Sequence, residues 1–293
     1  MLEGFDHVII GVGDLARAEA DLRGIGSKVT ARPDVGATET ENRLICFQDG
    51  SYIEVFSFLD RTHPNQHRWA PLLAKGDGWL DYSVHVSDVT AETARLAASG
   101  LPSVGPRSGG RSLTAGRRWD VAVLLTGRGI ANPVLRFLIE DTEPREVRVP
   151  GGAAAVQPAG VTAVVGVTLV TTALAAVETE LAAMFGPGVA VTRSGAVAAR
   201  RYGLAGRWVE VIEPTEADAL DHLRARGEGV YEVTLGAPVT RLAGRASCWL
   251  WPRPTALGYG WRCNAPSIST VDQQKQGAGH GPQRSPSSVQ PRH

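Results

Sequence analysis

The chain has 293 residues, 43% of them hydrophobic, enough for two domains or for one domain assembled from several similar units. Thirty basic and thirty acidic residues cancel, so no overall field draws it to nucleic acid or to an anionic membrane, and a charged ligand must be caught locally. The longest apolar stretch, Gly160 to Ala176, is broken by threonines and glycines, and Met1 to Gly4 lack a basic region leading into an apolar run. A cytoplasmic protein without a membrane span is therefore expected.

Phe5 to Val12 reads as a strand. Asp14 is a natural N-cap, and Leu15, Ala18 and Leu22 share one face of a helix that ends at Gly24 and Gly26. Glu41 to Gln48 and Ser51 to Phe58 follow as strands, joined by an Asp49-Gly50 hairpin turn. Cys46 lies in this apolar text as a core thiol. With Cys248 and Cys263 it has the spacing of neither a zinc site nor a disulfide framework. His63 and His67 fall in a polar loop and are expected to be exposed.

An offset of 74 residues repeats the opening pattern: Trp79 to Val86 as strand, Asp88 as cap, Val89 and Leu96 on the helix face, Gly100 at its end. Arg118 to Leu125 and Val134 to Ile139 are further strands. Residues 150–160, rich in Gly, Ala and Pro, read as a linker. A third copy follows, with Val161 to Val170 as strand, Thr172 to Met184 as helix and Arg207 to Ile212 as closing strand. A fourth starts at Gly229 to Leu235 and is then lost, and the Gln, Ser, Pro and Gly-rich end of the chain is expected to be disordered.

Alternation along the first strand puts Asp6, Val8 and Ile10 on one face and Phe5, His7 and Ile9 on the other. The closing strand Tyr52 to Phe56 sets one carboxylate, Glu54, in an apolar run, where an unpaired charge is costly. In the second unit Asp81 matches His7, and Glu140 ends the closing strand. Sheets facing one another would bring His7, Glu54, Asp81 and Glu140 into one cleft, a nitrogen and oxygen donor set suited to a divalent metal such as Mn, Fe, Ni or Zn. Each also has an ordinary role open to it: His7 as a hydrogen-bonded neighbour of Asp6, Glu140 as a solvated strand end. In the third unit Val165 falls where His7 would be, which leaves its carboxylate, Glu210, a structural part. His85 shares the Asp81 side of its strand, and Arg107, Arg111, Arg117 and Arg118, ahead of Trp119, are placed to catch an anionic group.

Phe5-Asp6-His7-Val8-Ile9, Glu41-Asn42-Arg43-Leu44-Ile45, Gly50-Ser51-Tyr52-Ile53-Glu54 and Phe137-Leu138-Ile139-Glu140-Asp141 carry a resemblance, together with Pro144-Arg145-Glu146 and Arg148-Val149-Pro150. With this text the chain resembles the glyoxalase-like domain proteins of the vicinal oxygen chelate superfamily, over residues 4 to 235. The resemblance implies an α+β fold of tandem βαβββ modules paired as open barrels. Residues 1–150 would form one paired domain, 160–236 a third module with the start of a fourth, and 237–293 an aberrant or disordered tail.

It further implies metal ligands from the first and last strands of each module, which map onto His7, Glu54, Asp81 and Glu140. Glu54 or Glu140 would move a proton, and Asn42, His85 and Trp119 would contact substrate. Asp34 stands where the family often has a histidine, and a single clear imidazole ligand argues against an iron-dependent ring-cleaving dioxygenase.

The function expected is that of a metal-dependent lyase or isomerase acting on a small molecule with vicinal oxygens. The alternative is a metal-free, resistance-type protein that binds a small molecule without catalysis. A third reading is a damaged protein whose unpaired third unit exposes its apolar face, and which would be made soluble by ending the chain near residue 150. The partner expected is a small molecule, not nucleic acid or membrane, with a homodimer left open.

Overall fold

The computed structural model describes residues 1–31, 34–35, 39–60, 67–127 and 134–237, with 247–252 and 259–264 as backbone only. Strand β1 (Leu2–Gly11) leads into helix α1 (Leu15–Gly24), whose free N-terminal amides are met as expected by Asp14, accepting from Arg17 N at 2.9 Å. Short strands β2 (Thr30–Ala31) and β3 (Asp34–Val35) precede β4 (Thr40–Cys46) and β5 (Tyr52–Phe58), with Gly50 at positive φ in the turn between the last two. Cys46 is fully buried, as expected.

The second unit repeats the plan. A short helix, α2 (Ala70–Leu73), precedes β6 (Gly78–Val86) and α3 (Val89–Ala98), which is capped by Asp88. Then come β7 (Ser103–Leu113), β8 (Arg118–Thr126), β9 (Phe137–Asp141) and the short helix α4 (Arg145–Arg148). Nothing in the Gly, Ser and Arg-rich text of β7 announces a strand.

These strands form one sheet in the order β2-β4-β5-β1-β6-β9-β8-β7-β3. In each unit the first strand runs parallel to its closing strand, β1 with β5 and β6 with β9, and the two units meet where β1 and β6 pair antiparallel. The two edge strands, β2 and β3, are neighbours in the chain with only residues 32 and 33 between them. So short a connection spans only about 10 Å, and the sheet therefore curls until its edges approach. Its concave face becomes the inside of an open barrel, and Arg111 on β7 donates across the gap to Thr40 Oγ1 on β4 at 2.9 Å.

A second sheet contains β10 (Ala163–Val170), β11 (Val189–Ala190), β12 (Ala196–Leu204), β13 (Arg207–Pro214), β14 (Gly229–Gly236), β15 (Ser247–Pro252) and β16 (Tyr259–Asn264). Their order is β11-β12-β13-β10-β14-β15-β16, with α5 (Leu174–Phe185) and α6 (Ala217–Arg226) beside them. β10 and β13 keep the parallel pairing of a complete unit, whereas β14 is flanked by β15 running antiparallel. The fourth unit thus has its opening strand without a parallel closing strand among the described residues. The expected disorder at the chain's end concerns residues 265–293, which lie outside the described residues, as does His63.

The two sheets share one core. Val8, Ile10 and Val84 of the first lie in a single buried cluster with Val164, Val167, Val209 and Val233 of the second. The apolar face of the third unit is therefore covered, contrary to the damaged-protein reading. Residues 150–160 are likewise packed: Gln157 is buried and donates to Cys46 O at 2.9 Å, and Ala155 joins the cluster of Leu44, Cys46 and Tyr52. Each buried side chain in such a core is worth about 1.5–3 kcal/mol, so the halves depend on one another.

Candidate active site in the first sheet

The site begins with an irregularity in β1. Phe5 pairs with Val84 and His7 with Ser83, so Asp6 is an extra residue, a β-bulge, and the simple alternation expected for this strand fails there. Phe5, Val8 and Ile10 all face the core between the sheets, while Ile9 lines the concave side with Phe56, Phe58, Trp69, Leu80 and Phe137. His7 joins this concave side, stacked on Tyr52 at 4.7 Å between centroids and meeting the edge of Phe137 at 5.5 Å.

The bulge delivers Asp6 to the His7 ring, Oδ1 to Nδ1 2.5 Å. Asp6 is wholly buried, and burial alone would oppose its ionisation. Arg148, Arg145 and the hydrogen bond from His7 overcome that and hold its carboxyl well below the usual range. An ionised carboxylate only accepts, so Nδ1 carries the proton and Nε2 points away from Asp6. There it faces Glu54 Oε2 at 3.5 Å, and Asn42 Nδ2 donates to the other oxygen of Glu54 at 2.7 Å. Asn42, expected to contact substrate, thus orients Glu54.

Arg145 and Arg148 were not assigned a role from the sequence. Both reach Asp6 and Asp141 from α4, Arg148 also donating to Tyr52 at 2.9 Å; burial alone would oppose the charge of Arg148, and Asp6, with Tyr52 and Asp141, outweighs it and keeps Arg148 charged. His85 lies at this end, 2.9 Å from Glu3 and 3.3 Å from Asp141. Among the described residues, Asp6, His85 and Asp141 form a group whose geometry could hold a cation. The two guanidiniums already neutralise its carboxylates.

The four expected metal ligands do not assemble. Asp81 is buried and saturated: Trp69 Nε1 and Tyr82 N donate to it at 2.8 Å each, and Arg136 and Arg68 stand 3.2 and 3.4 Å away. Glu140 sits on the helix-bearing face, where it accepts from Val89 N at 2.8 Å and caps α3. Register explains the mismatch. Glu54 pairs with Ile9, whose counterpart in the repeat is Ser83, and Ser83 pairs with Phe137. Phe137, three residues before Glu140, holds the place of Glu54. Asp81 is on the concave side but taken up by Trp69, Tyr82 and the arginines, which leaves His7 and Glu54 as open donors there, fewer than a catalytic zinc or iron site uses. The residues do not fit the expected metal set.

Trp119 is buried and donates to Asp34 at 3.3 Å, near the edge of the curled sheet. Of the four arginines ahead of it, Arg111 turns to this edge, while Arg118 pairs with its neighbour Asp120 on the surface. His67, expected in solvent, packs against Phe56, Phe58 and Trp69, and burial followed by the charge of Arg68 lowers its pKa.

The second sheet carries a related but different arrangement. Register equates Thr168 with Ile9 and Gly166 with His7, so the His7 place belongs to Gly166 and Val165 takes the bulge. The Trp208 ring lies against Gly166, so close that a Cβ there would sit 2.2 Å from it. An imidazole has no room. The two carboxylates at the Glu54 and Asp81 places, Glu210 and Glu232, are bridged by Arg193 at 2.5 and 3.1 Å, and Arg201 closes on Glu210 at 2.6 Å. Glu210 is thus structural, as expected.

Paired βαβββ units, joined through antiparallel first strands and curled around a polar concave face, define a protein of the vicinal oxygen chelate superfamily. Residues 5–185 match the family described as glyoxalase-like domain, and the chain belongs to it. It is similar in fold to a hypothetical protein from Staphylococcus aureus, at 15% identity and a TM-score of 0.56, covering 72% of this chain and 86% of that one. It is also similar to a mutant of 4-hydroxymandelate synthase from Streptomyces coelicolor, at 14% identity and a TM-score of 0.54, covering 87% and 90%. Methylmalonyl-CoA epimerase from Mycobacterium tuberculosis aligns at 24% identity and a TM-score of 0.37, over 48% of this chain and 90% of that one. No curated protein matches. No helix of the described residues is long and apolar enough to cross a membrane.

Proposed function

We propose that the concave cleft of the first sheet performs proton transfer on a small molecule with adjacent oxygens, as an isomerase or lyase, with Glu54 and His7 as its acid–base pair. The observation that supports this most is the continuous contact Asp6, His7, Glu54, in which one carboxylate orients the imidazole toward another. Asp6 holds the Nδ1 edge of that ring in place while Nε2 faces Glu54.

In this reading Glu54 removes a proton from the carbon beside a carbonyl. An O–H bond forms on Glu54 as the C–H bond breaks, and its electron pair moves into an enolate. Return of a proton from His7 Nε2, on the same side of the molecule, to the enolate oxygen or the adjoining carbon gives the isomer. The proton on Glu54 then passes to His7 across the 3.5 Å gap and restores both groups. A lyase uses the same first step and expels a group from the next carbon. Of the donors expected for Mn, Fe, Ni or Zn, only His7 Nε2 and Glu54 stand together, and the proton moves between these two groups. The working partner in this reading is a small molecule in the cytoplasm.

The test is solvent exchange. In D2O, small 2-oxo acids and hydroxyketones are followed by proton NMR with the wild type and with Glu54→Gln and His7→Asn. Loss of one C–H signal in the wild type, slowed about 100-fold or more in both variants, supports the reading. Exchange unchanged in both variants refutes it. Binding without exchange indicates instead a metal-free binding protein.

A further inference from the structure

The loop before α2 brings Arg68 onto the concave face. Its guanidinium lies 4.5 Å above the Phe137 ring and 4.7 Å from the Trp69 ring, and its side chain is 22% exposed. Phe137 is the ring whose other contact is His7, so Arg68 and the acid–base pair flank one aromatic floor.

Arg68 is only partly used within the protein. It approaches Asp81 at 3.4 Å, but that carboxylate already accepts from Trp69 and Tyr82 and also faces Arg136. Two guanidiniums therefore share one saturated carboxylate, and the other carboxylate whose charge acts on Arg68 is the proposed base, Glu54. Among the described residues the buried Arg68 Nε has no hydrogen-bond partner, so this planar, always-charged fork is not fully matched by acceptors there. Burial and the neighbouring Arg136 both press against its charge, in the direction an incoming anion would relieve.

We infer that Arg68 is the anchor for a carboxylate on the substrate, so that the molecule taken by this cleft is a small organic acid whose reacting carbon lies close to its carboxyl group. Resting on the proton-transfer reading, this assigns the substrate class. A carboxylate held by Arg68 over Phe137 sets the adjoining carbons toward Glu54 and His7. Charge-assisted guanidinium–carboxylate bonds are short and directional, which suits orientation as well as affinity.

The experiment compares acids with their methyl esters. Thermal unfolding of the full-length protein is followed with a panel of three- to six-carbon 2-oxo acids and the matching esters, each at about 10 mM, where binding to the folded state raises Tm. At least one acid raises Tm in the wild type and its ester does not; Arg68→Gln loses that shift and weakens binding of the same acid about 30-fold, while Arg68→Lys retains part of it. Esters that stabilise as well as acids, a panel with no active acid, or full affinity in Arg68→Gln overturns the assignment. If Arg68→Gln does not fold, the acid-to-ester comparison on the wild type decides alone. Acid binding without solvent exchange leaves the anchor standing and removes the proton-transfer reading. Exchange that survives in Arg68→Gln at unchanged KM does the reverse.

Discussion

His7 Nε2 stands 3.5 Å from Glu54 Oε2 across the parallel strands β1 and β5, and the bulge at Asp6 turns the imidazole to that partner. Asp6 and Glu54 thereby hold opposite edges of one ring. The two carboxylates differ sharply in setting: Asp6 is wholly buried between two arginines, and Glu54 is partly open on the concave side.

Asp6→Asn leaves Arg148 buried with less of its counter-charge. Breaking one partner of a buried ion network costs about 3–5 kcal/mol, measurable by urea unfolding at neutral pH. The folded-state pKa of Asp6 is lowered, so its contribution is present above the unfolded value and is lost as pH falls from about 4 toward the folded value. The wild type therefore loses stability steeply below about pH 4, and the variant less steeply.

His222 gives a separate signature in a milder range. Burial first, and then the charge of Arg226, lower its pKa to about 4. The unfolded chain takes up this proton near pH 6.5 and the folded chain only near the lower value, so stability declines as pH drops between the two. His222→Phe, which keeps a ring against Tyr231, flattens that part of the stability profile.

Glu140 and Glu54 separate cleanly. Glu140→Gln weakens the cap on α3 and costs about 1 kcal/mol by thermal unfolding, without slowing proton exchange. Glu54→Gln leaves stability near that of the wild type and slows exchange. Equal loss of exchange in both would place Glu140 in the chemistry after all.

The shared core makes a truncation informative. A chain ending near residue 150 exposes Val8, Ile10 and Val84, which pack with Val164, Val167, Val209 and Val233. It is expected to aggregate or bind a hydrophobic dye, while the longer chain does not. A soluble, cooperatively folding fragment would contradict the shared core.

Much of the scaffold was legible because its signals are local. Asp14 and Asp88 cap their helices as read, and the repeat of strand and helix places β1, β6 and β10 correctly. β7 was missed because its Gly, Ser, Pro and Arg text carries no apolar alternation. The site was legible only in part. His7 and Glu54 do meet, but matching Glu140 to Glu54 by their place at the strand's end ignored register, which puts Phe137 there. A bulge is likewise invisible to strict alternation, so Val165 was set in the place of Gly166. Arg145 and Arg148 meet Asp141 nearby, but their contact with Asp6 joins opposite ends of the domain, and no local pattern announces it or the pairing of Arg68 with Asp81.

The most direct test of the central claim is the rate of solvent-deuterium exchange into a turned-over 2-oxo acid, measured before and after exhaustive dialysis against a chelator. The proton-transfer pair predicts a rate that changes less than about twofold on chelation and falls about 100-fold or more in Glu54→Gln. Exchange abolished by the chelator and restored by Mn, Fe, Ni or Zn would contradict it.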